Sequence, residues 1–438
     1  MKKQKGDPKA VGRSLLLPNQ SKNEQKLVEQ LNENSLRRPD IRVEGEGGEL
    51  AIRKAGFDSV FFVLVLILIA FGSVMVFSAS YADALARFDD SFYFVKKQLL
   101  FVFLSLLIIP TVSLFDYKLF YRFADVLYLI TVGMLLLVLV IGFAGGGAQR
   151  WFSVFGISVQ PSEIAKVTLV LVLAKYFSRH KSQVLSYKKN SGLKGREYRF
   201  IRRKNNKESL IYGIFLPLCA VGIIDVLVML EKHISGLAII TMLCFIVMFY
   251  AGSDTRFLAA IALTGAAAIV LLIVLFPYAM GRVNVWRDPY AYRLEGGWQT
   301  IQGLYAIGSG GAFGVGLGES NLKFGYVSQP HNDFIFTIVC EELGFVGALT
   351  VVVLFALLVW RGLYISRKAP DTFSSIVAFG ISVHIALQVL LNIAVVTNTM
   401  PNTGISLPFF SYGGSSLLVL AAEMGIMLSI SRYSFIRK

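Results

Sequence analysis

The feature that most constrains this chain is a series of long apolar blocks. A helix that crosses a bilayer needs about 20 consecutive, mostly apolar residues. Only 16% of the residues are charged, whereas soluble domains usually carry about 25%. Ten blocks qualify, at residues 58–80, 98–114, 123–143, 162–178, 209–229, 234–252, 257–279, 333–360, 374–397 and 407–431. The sequence therefore predicts an all-α integral membrane protein with ten transmembrane helices.

Basic residues in the short loops predict the orientation. Loop 179–208 is rich in Lys and Arg and is opposed only by Glu197 and Glu208. Such loops stay in the cytoplasm, and anionic lipids attract them there. Loop 81–95, which contains three aspartates, falls on the other side. We therefore expect a multi-pass protein of the cytoplasmic membrane with both termini in the cytoplasm, and we attribute the net charge of +15 to the membrane surface rather than to nucleic acid.

The polar and apolar segments divide the chain into two regions. Residues 1–56 are polar and predict a basic, largely disordered cytoplasmic tail, and residues 57–438 form the membrane domain. The domain has two long outer loops, 144–161 and a large extracellular loop, 280–332, between helices 7 and 8. Long loops usually carry function. The three cysteines and four histidines are scattered, so no metal site is evident, and a divalent cation (Mg²⁺ or Mn²⁺) is left open.

The first outer loop leads into four polar candidates. Arg150 could hold a phosphate or a lipid head group, and Trp151 has the character of an interfacial belt residue. Glu163 and Lys166 are three residues apart at the start of the fourth span, so they share a helix face. Charges at that depth are expensive and tend to be functional or paired. They are therefore interpreted either as part of a site or as a structural ion pair.

Asp333 is the principal candidate in the second outer loop. It stands between His331 and an apolar run, where the loop enters the eighth span. A carboxylate at a membrane mouth can have a raised pKa and act as a base. It can equally cap the helix N-terminus. Arg282 and Lys323 in the same loop are candidate ligands for an anionic lipid head group.

Four stretches resemble the SEDS family of cell-shape, division and sporulation membrane proteins, which includes FtsW, RodA and SpoVE. They read 150-RWFSVFGISVQPSEIAK-166, 297-GWQTIQGLYAIGSGGAFGVGLGES-320, 331-HNDFIFTIVCEELGFVG-347 and 400-MPNTGISLPFFSYGGSS-416. The stretch 73-SVMVFSAS-80 and the long N-terminal tail look more like the FtsW and SpoVE branches. Asn332 departs from the family's usual Thr, and 231-EKHISG-236 departs from its Glu-Pro-Asp-Leu-Gly motif.

The resemblance implies a peptidoglycan glycosyltransferase that polymerises lipid II into undecaprenyl-linked glycan. It implies a class B penicillin-binding protein and other division proteins as partners, and a place at the division septum. Asp333 corresponds to the family's essential aspartate. The family motifs also place Gln160, Ser162 and Ser415, with the residues named above, among the predicted substrate-binding residues.

The expected reaction is an inverting glycosyl transfer. One base suffices for a single displacement, and Asp333 is assigned to it. The leaving pyrophosphate needs cations, for which Arg150, Lys166, Arg282 and Lys323 are candidates. Two alternatives remain open, namely a lipid II flippase and a non-catalytic scaffold that recruits a transpeptidase.

Overall fold

The computed structural model describes most of the chain. It covers residues 50–52, 56–145, 148–154, 157–188, 205–275, 277–294, 296–326, 330–433 and 435–437. The helices are α1 (Ser59–Phe88), α2 (Tyr93–Leu114), α3 (Tyr117–Ile141), α4 (Pro161–Arg179), α5 (Lys181–Val184), α6 (Asn205–Leu230), α7 (Ile234–Tyr250), α8 (Thr255–Leu275), α9 (Pro277–Arg287), α10 (Trp298–Ser309), α11 (Ile335–Lys368), α12 (Thr372–Val396) and α13 (Gly414–Ser431). The strands are β1 (Leu50–Ile52), β2 (Phe143–Gly145), β3 (Ala148–Val154), β4 (Ile157–Val159) and β5 (Phe435–Arg437).

The apolar blocks form helices because backbone groups inside a bilayer must be satisfied within the segment. Seven helices of the described residues are long and apolar enough to cross a membrane, and α7 and part of α8 are shorter apolar helices. The prediction of an all-α membrane protein is confirmed. Each predicted span coincides with a helix, but the count of ten membrane crossings stays a prediction.

The chain divides into two units that we describe separately. The small unit contains the antiparallel pair β1 and β5, in which Ala51 lies opposite Ile436. The predicted disordered tail otherwise lies outside the described residues, as does most of the basic loop 179–208. The large unit, Ala55–Ser434, contains the helices.

The first outer loop contains a small sheet that the sequence interpretation did not include. Strands β2, β3 and β4 form an antiparallel sheet in that order. Strand β3 carries Arg150 and Trp151, and Gln160 is the N-cap residue of α4 after β4. The sheet therefore fixes the direction in which Arg150 leaves the backbone, on the face that also carries Asp333. We call it the outer face, because the loop charges predict it to be external.

The buried core lies where α4, α7, α11, α12 and α13 meet. Helix α12 packs against α4, α7 and α11, and α13 packs against α2. Helices α12 and α13 are the most buried of the apolar helices, whereas α3 and α11 present large apolar surfaces. The two central helices therefore support the polar segment between them, residues 397–413, at the outer face.

A buried ion pair holds the large outer loop to the helices. Lys323 Nζ lies 3.0 Å from Glu342 Oε1 of α11, and neither side chain is exposed. The same ammonium donates to Gly318 O at 2.6 Å, and Glu342 also accepts a hydrogen bond from Ser78 of α1. Because both charges are desolvated, each depends on the other for stabilisation. The position of this loop is therefore coupled to α1 and α11.

Candidate active site

The loop that carries Asp333 is held by its backbone carbonyl groups. Three successive carbonyl oxygens each accept a hydrogen bond from the segment before α13 or from α12. The donors are Tyr412 N to His331 O (2.8 Å), Ser411 Oγ to Asn332 O (2.9 Å) and Asn392 Nδ2 to Asp333 O (2.8 Å). We call these bonds the carbonyl clamp. They fix the Asp333 backbone without using its side chain.

The Asp333 carboxylate is half-buried and faces the broken segment before α13. A Cβ atom at Gly404, which has a φ of 62°, would lie 3.0 Å from Asp333 Oδ2. No hydrogen bond to this carboxylate is found among the described residues. Burial raises the pKa of Asp333 to about 6, and the charge of Arg150 opposes that rise. A carboxylate with free lone pairs and a raised pKa is suited to accept a proton.

Arg150 lies near Asp333 and is held by a backbone group. Its Nη2 donates to Lys232 O at 2.8 Å, and its buried Nε has no hydrogen-bond partner in the described part of the chain. Burial lowers the pKa of Arg150, and the charges of Glu231, Arg282 and Asp333 all act on it. Arg150 therefore combines a fixed position with unused donors, which is what an anion-binding residue requires.

The turn between α6 and α7 contributes two residues that the sequence interpretation missed. Glu231 is buried, and neither carboxylate oxygen has a hydrogen-bond partner among the residues described. Burial raises its pKa to about 8, against the attraction of Arg150. The sequence showed this turn only as a break between two spans. A Glu and a His inside an apolar stretch were the available signal.

His233 of the same turn connects to the start of α4. Its Nδ1 lies 3.1 Å from Ser162 Oγ, which itself accepts from Gln160 Nε2 at 3.1 Å. Burial lowers the pKa of His233 to about 4, with Arg150 adding repulsion, so the ring is neutral at pH 7. The neutral ring can form this bond in either tautomer, with the Ser162 hydroxyl donating to an unprotonated Nδ1 or accepting from Nδ1–H. The predicted residues Gln160 and Ser162 therefore position the turn that holds Arg150.

Glu163 and Lys166 form the ion pair that their spacing indicated. Lys166 Nζ lies 2.8 Å from Glu163 Oε2, and Lys166 is almost fully buried. Glu163 also lines a cavity of about 10 Å³ together with Gln388, Ser411 and Ser416. That volume is enough for about one water molecule. The pair therefore lies next to the segment before α13, and its assignment to a site or to a structural ion pair stays a prediction.

The remaining predicted residues are more dispersed. Trp151 is half-buried on β3, and Arg282 is exposed near Arg150. His331 is buried against Phe94, with ring centroids 4.4 Å apart. Burial lowers the pKa of His331 to about 4. Ser415 is buried in α13, and Lys323 is buried within the large outer loop. The structure thus places Arg150 where its charge acts on Asp333, and it links Gln160 and Ser162 to the turn that holds Arg150. Glu163 and Lys166 form a pair of their own, and Lys323 is paired with Glu342.

Asn392 is a further residue that the sequence interpretation missed. Its amide nitrogen donates to Asp333 O at 2.8 Å and to Ile405 O at 2.6 Å, and it is fully buried. An Asn in the apolar sequence of α12 was the signal available. Within the part of the chain that the structure describes, no three His, Cys, Asp or Glu residues are grouped to hold a metal ion. A divalent cation bound with substrate stays a prediction.

The chain resembles known proteins over most of its length. A family model for FtsW, RodA and SpoVE, described as cell cycle protein, matches residues 58–435. Stage V sporulation protein E of Bacillus subtilis is 36% identical over 88% of this chain and 100% of its own length. A protein of a Geobacter species, named probable peptidoglycan glycosyltransferase FtsW, is 34% identical over 86% of this chain and 98% of its own.

Solved structures share the fold. A chain from a study of how a peptidoglycan synthase complex coordinates polymerization and crosslinking has a TM-score of 0.68 and 26% identity, covering 86% of this chain and 98% of that one. The rod shape determining protein RodA of Thermus thermophilus has a TM-score of 0.61 and 26% identity, covering 86% and 97%. The protein is a member of the FtsW, RodA and SpoVE family.

Proposed function

We propose that the protein polymerises lipid II on the outer face of the membrane, with Asp333 as the base. The chain is a peptidoglycan glycosyltransferase, the activity for which its FtsW relatives are named. The observation that carries the proposed mechanism is the half-buried Asp333 carboxylate, clamped through its backbone and lying within the field of Arg150. Division or sporulation, at the septum, is the setting that the SpoVE and FtsW relatives favour.

The proposed reaction is a single displacement with inversion at the anomeric carbon. The 4-hydroxyl of the acceptor sugar forms the new C–O bond as Asp333 removes its proton. The bond between the anomeric carbon and the lipid pyrophosphate breaks, and the pyrophosphate leaves with the electron pair. One carboxylate is enough, because no covalent intermediate has to be formed and released.

Arg150 is the cation proposed for the leaving pyrophosphate. Its guanidinium is held by Lys232 O rather than by a carboxylate, and Glu231 beside it is mostly protonated at pH 7. A charge that is fixed in place before reaction stabilises a developing anion effectively. Lys166 is already paired with Glu163, so we assign it to positioning. We leave Lys323 out of the proposed site, because Glu342 and Gly318 occupy its ammonium.

We expect a bell-shaped dependence of the polymerisation rate on pH. The base form of Asp333 is lost as pH falls through its pKa of about 6. Glu231 loses its proton as pH rises through about 8, and its charge then opposes that of Arg150. The rate should therefore fall on both sides of a maximum near pH 7. The measurement is initial rate against pH for the wild type and for Glu231→Gln. The variant should keep the acidic limb and lose the alkaline one, and an unchanged alkaline limb would contradict this role of Glu231.

Asn392→Leu should slow the reaction without weakening substrate binding. The substitution keeps the side-chain volume but removes both donors, so Asp333 O and Ile405 O lose their partner. A displaced base of this kind costs on the order of 10²-fold in rate. The kinetic constants kcat and KM of the variant are measured. We expect kcat to fall and KM to stay unchanged. Ser382→Ala is the control, because among the described residues the Ser382 hydroxyl on α12 donates within its own helix, to Ala378 O. An equal loss in both variants would argue against a positioning role.

The experiment that tests the function is polymerisation of lipid II by purified protein, with and without a class B penicillin-binding protein. The complex described for the structural relative is the reason to include that partner. Glycan strands formed from lipid II support the proposal, in either arm. If no strands form in either arm while liposomes containing the protein translocate lipid II, the flippase alternative is favoured instead.

A further inference from the structure

Helix α11 is broken near its outer end, and a glycine-rich segment completes the break. Gly344 has φ 66° and ψ −165°, so the helical hydrogen bonds around it cannot form. The segment Gly310–Gly318, the glycine segment, supplies the missing partners. The bonds are Val315 N to Glu341 O (3.0 Å), Gly316 N to Glu342 O (3.0 Å), Phe345 N to Gly311 O (2.9 Å) and Val346 N to Ala312 O (3.1 Å). The backbone of the break is thus satisfied by protein.

The polar side chains around the break are also satisfied internally. Glu341 accepts hydrogen bonds from Ser320 Oγ at 2.5 Å and Asn321 N at 3.0 Å. Glu342 is paired with Lys323. No Asp, Glu, Lys or Arg occurs between residues 298 and 318. Non-helical backbone can lie at membrane depth only when its polar groups are satisfied in this way.

The exposed side chains around the break are apolar. Phe313 is 83% exposed and Phe345 66% exposed. Together with exposed neighbours they form a surface that we call the Phe313 patch, consisting of Phe313, Val315, Leu317, Phe345, Val346 and Leu349. This patch continues onto the membrane-spanning part of α11, where Val353 and Leu357 are also exposed.

The depth of the Phe313 patch in the membrane follows from the lengths of α1 and α11. Asp58, the N-cap of α1, pairs with Arg361 of α11 at 2.9 Å, at the end of both helices that the loop charges predict to be cytoplasmic. From Asp58 to Ser78, α1 rises about 30 Å, and the unbroken part of α11 from Arg361 to Phe345 rises about 24 Å. Ser78 is hydrogen-bonded at 2.6 Å to Glu342, three residues beyond Phe345, so the two heights are consistent. The hydrocarbon core of a bilayer is about 30 Å thick, so Phe345 lies just inside its outer edge.

We propose that the Phe313 patch is immersed in the outer leaflet, in contact with the acyl chains of bilayer lipid. The glycine segment then anchors the large outer loop in the membrane at one point, between α10 and the residues that lead to Asp333. Lipid is the occupant that fits, because the patch is uncharged, lies at hydrocarbon depth and is continuous with a lipid-facing helix. The anchoring is independent of the proposed reaction, so failure of either leaves the other standing.

Site-directed spin labelling in lipid nanodiscs tests this contact. The exposed Cys219 is first replaced by Ser, since Cys244 and Cys340 are buried. Nitroxide labels are then placed singly with Phe313→Cys, with Val353→Cys on the membrane-spanning part of α11 as the lipid-facing control and with Leu294→Cys as the water-facing control. Leu294 is 89% exposed and follows Arg293 in the outer loop. Collision rates with O₂, which partitions into lipid, and with a water-soluble nickel chelate are measured for each label.

The label at position 313 should behave like the label at 353, with frequent O₂ collisions and few nickel collisions. Nickel access at 313 equal to that at 294 would overturn the proposal, because it would place the segment in water. Shielding from both reagents would also overturn it, since protein, such as a second copy of the chain, would then cover the patch. Val315→Cys provides a second label on the same segment if the first disturbs folding.

Discussion

Purified Asp333→Asn protein is expected to polymerise lipid II about 10²- to 10⁴-fold more slowly than the wild type, the usual contribution of a general base. The substitution keeps the size of the side chain and removes its ability to accept the proton. The carbonyl clamp uses only the backbone of residue 333, so the loop should keep its position. The measurement is the initial rate of glycan formation, together with binding of the lipid-linked donor, which should be unchanged.

Asp288→Asn is the matched control for that experiment. Asp288 lies in the same outer loop, is exposed, and accepts a hydrogen bond from Ala291 N at 3.1 Å. It lacks the burial that raises the pKa of Asp333, so its loss should leave the rate near that of the wild type. Full activity of well-folded Asp333→Asn protein would remove Asp333 from the mechanism, while the membership of the family would stand.

The second large effect is expected on stability. Lys323→Met should lower the free energy of unfolding by about 3–5 kcal/mol, because it leaves Glu342 as a buried, unpaired charge. The measurement is thermal unfolding of detergent-solubilised protein. The double variant Lys323→Met with Glu342→Gln removes both charges and should recover much of the loss, because a neutral amide is far less costly to bury.

Lys96→Met is the control for the loss of a lysine ion pair. Lys96 lies 2.8 Å from Asp90, but 68% of its side chain is exposed. Exposed pairs of this kind are screened by water and contribute little, so no measurable change is expected. An unfolding temperature of Lys323→Met equal to that of Lys96→Met would show that the buried pair does not hold the loop.

Local sequence signals predicted the long helices, whereas contacts between distant segments had to come from the structure. The apolar blocks predict α1 to α4, α6 to α8 and α11 to α13, because burial in lipid demands length and apolarity within one segment. The short helices α5, α9 and α10 lie wholly or largely in segments that were predicted as loops. Asp333 was singled out because it stands where the outer loop enters such a block and because it corresponds to the essential aspartate of the family. Glu231 and His233 were overlooked, since their value lies in approaching Arg150 and Ser162, which are far away in the chain.

The sequence also did not reveal the short strands or the partners of individual charged residues. The sheet β2–β3–β4 has strands as short as three residues, and these give no periodic pattern that separates them from a loop. Lys323 was a reasonable phosphate ligand by composition, and its pairing with Glu342 depends on how the loop folds back onto α11. Pairing across long sequence separations cannot be deduced from residue type alone.

The carbonyl clamp has a consequence for substitutions in this loop. Main-chain carbonyl groups are the same in every residue, so hydrogen bonds to His331 O, Asn332 O and Asp333 O do not depend on which side chains those residues carry. The bond to Asn332 O would therefore also form with the Thr that the family resemblance has at this position. The bond to Asp333 O would likewise form whatever the side chain of residue 333, so one residue holds the loop with its main chain and faces the proposed chemistry with its side chain.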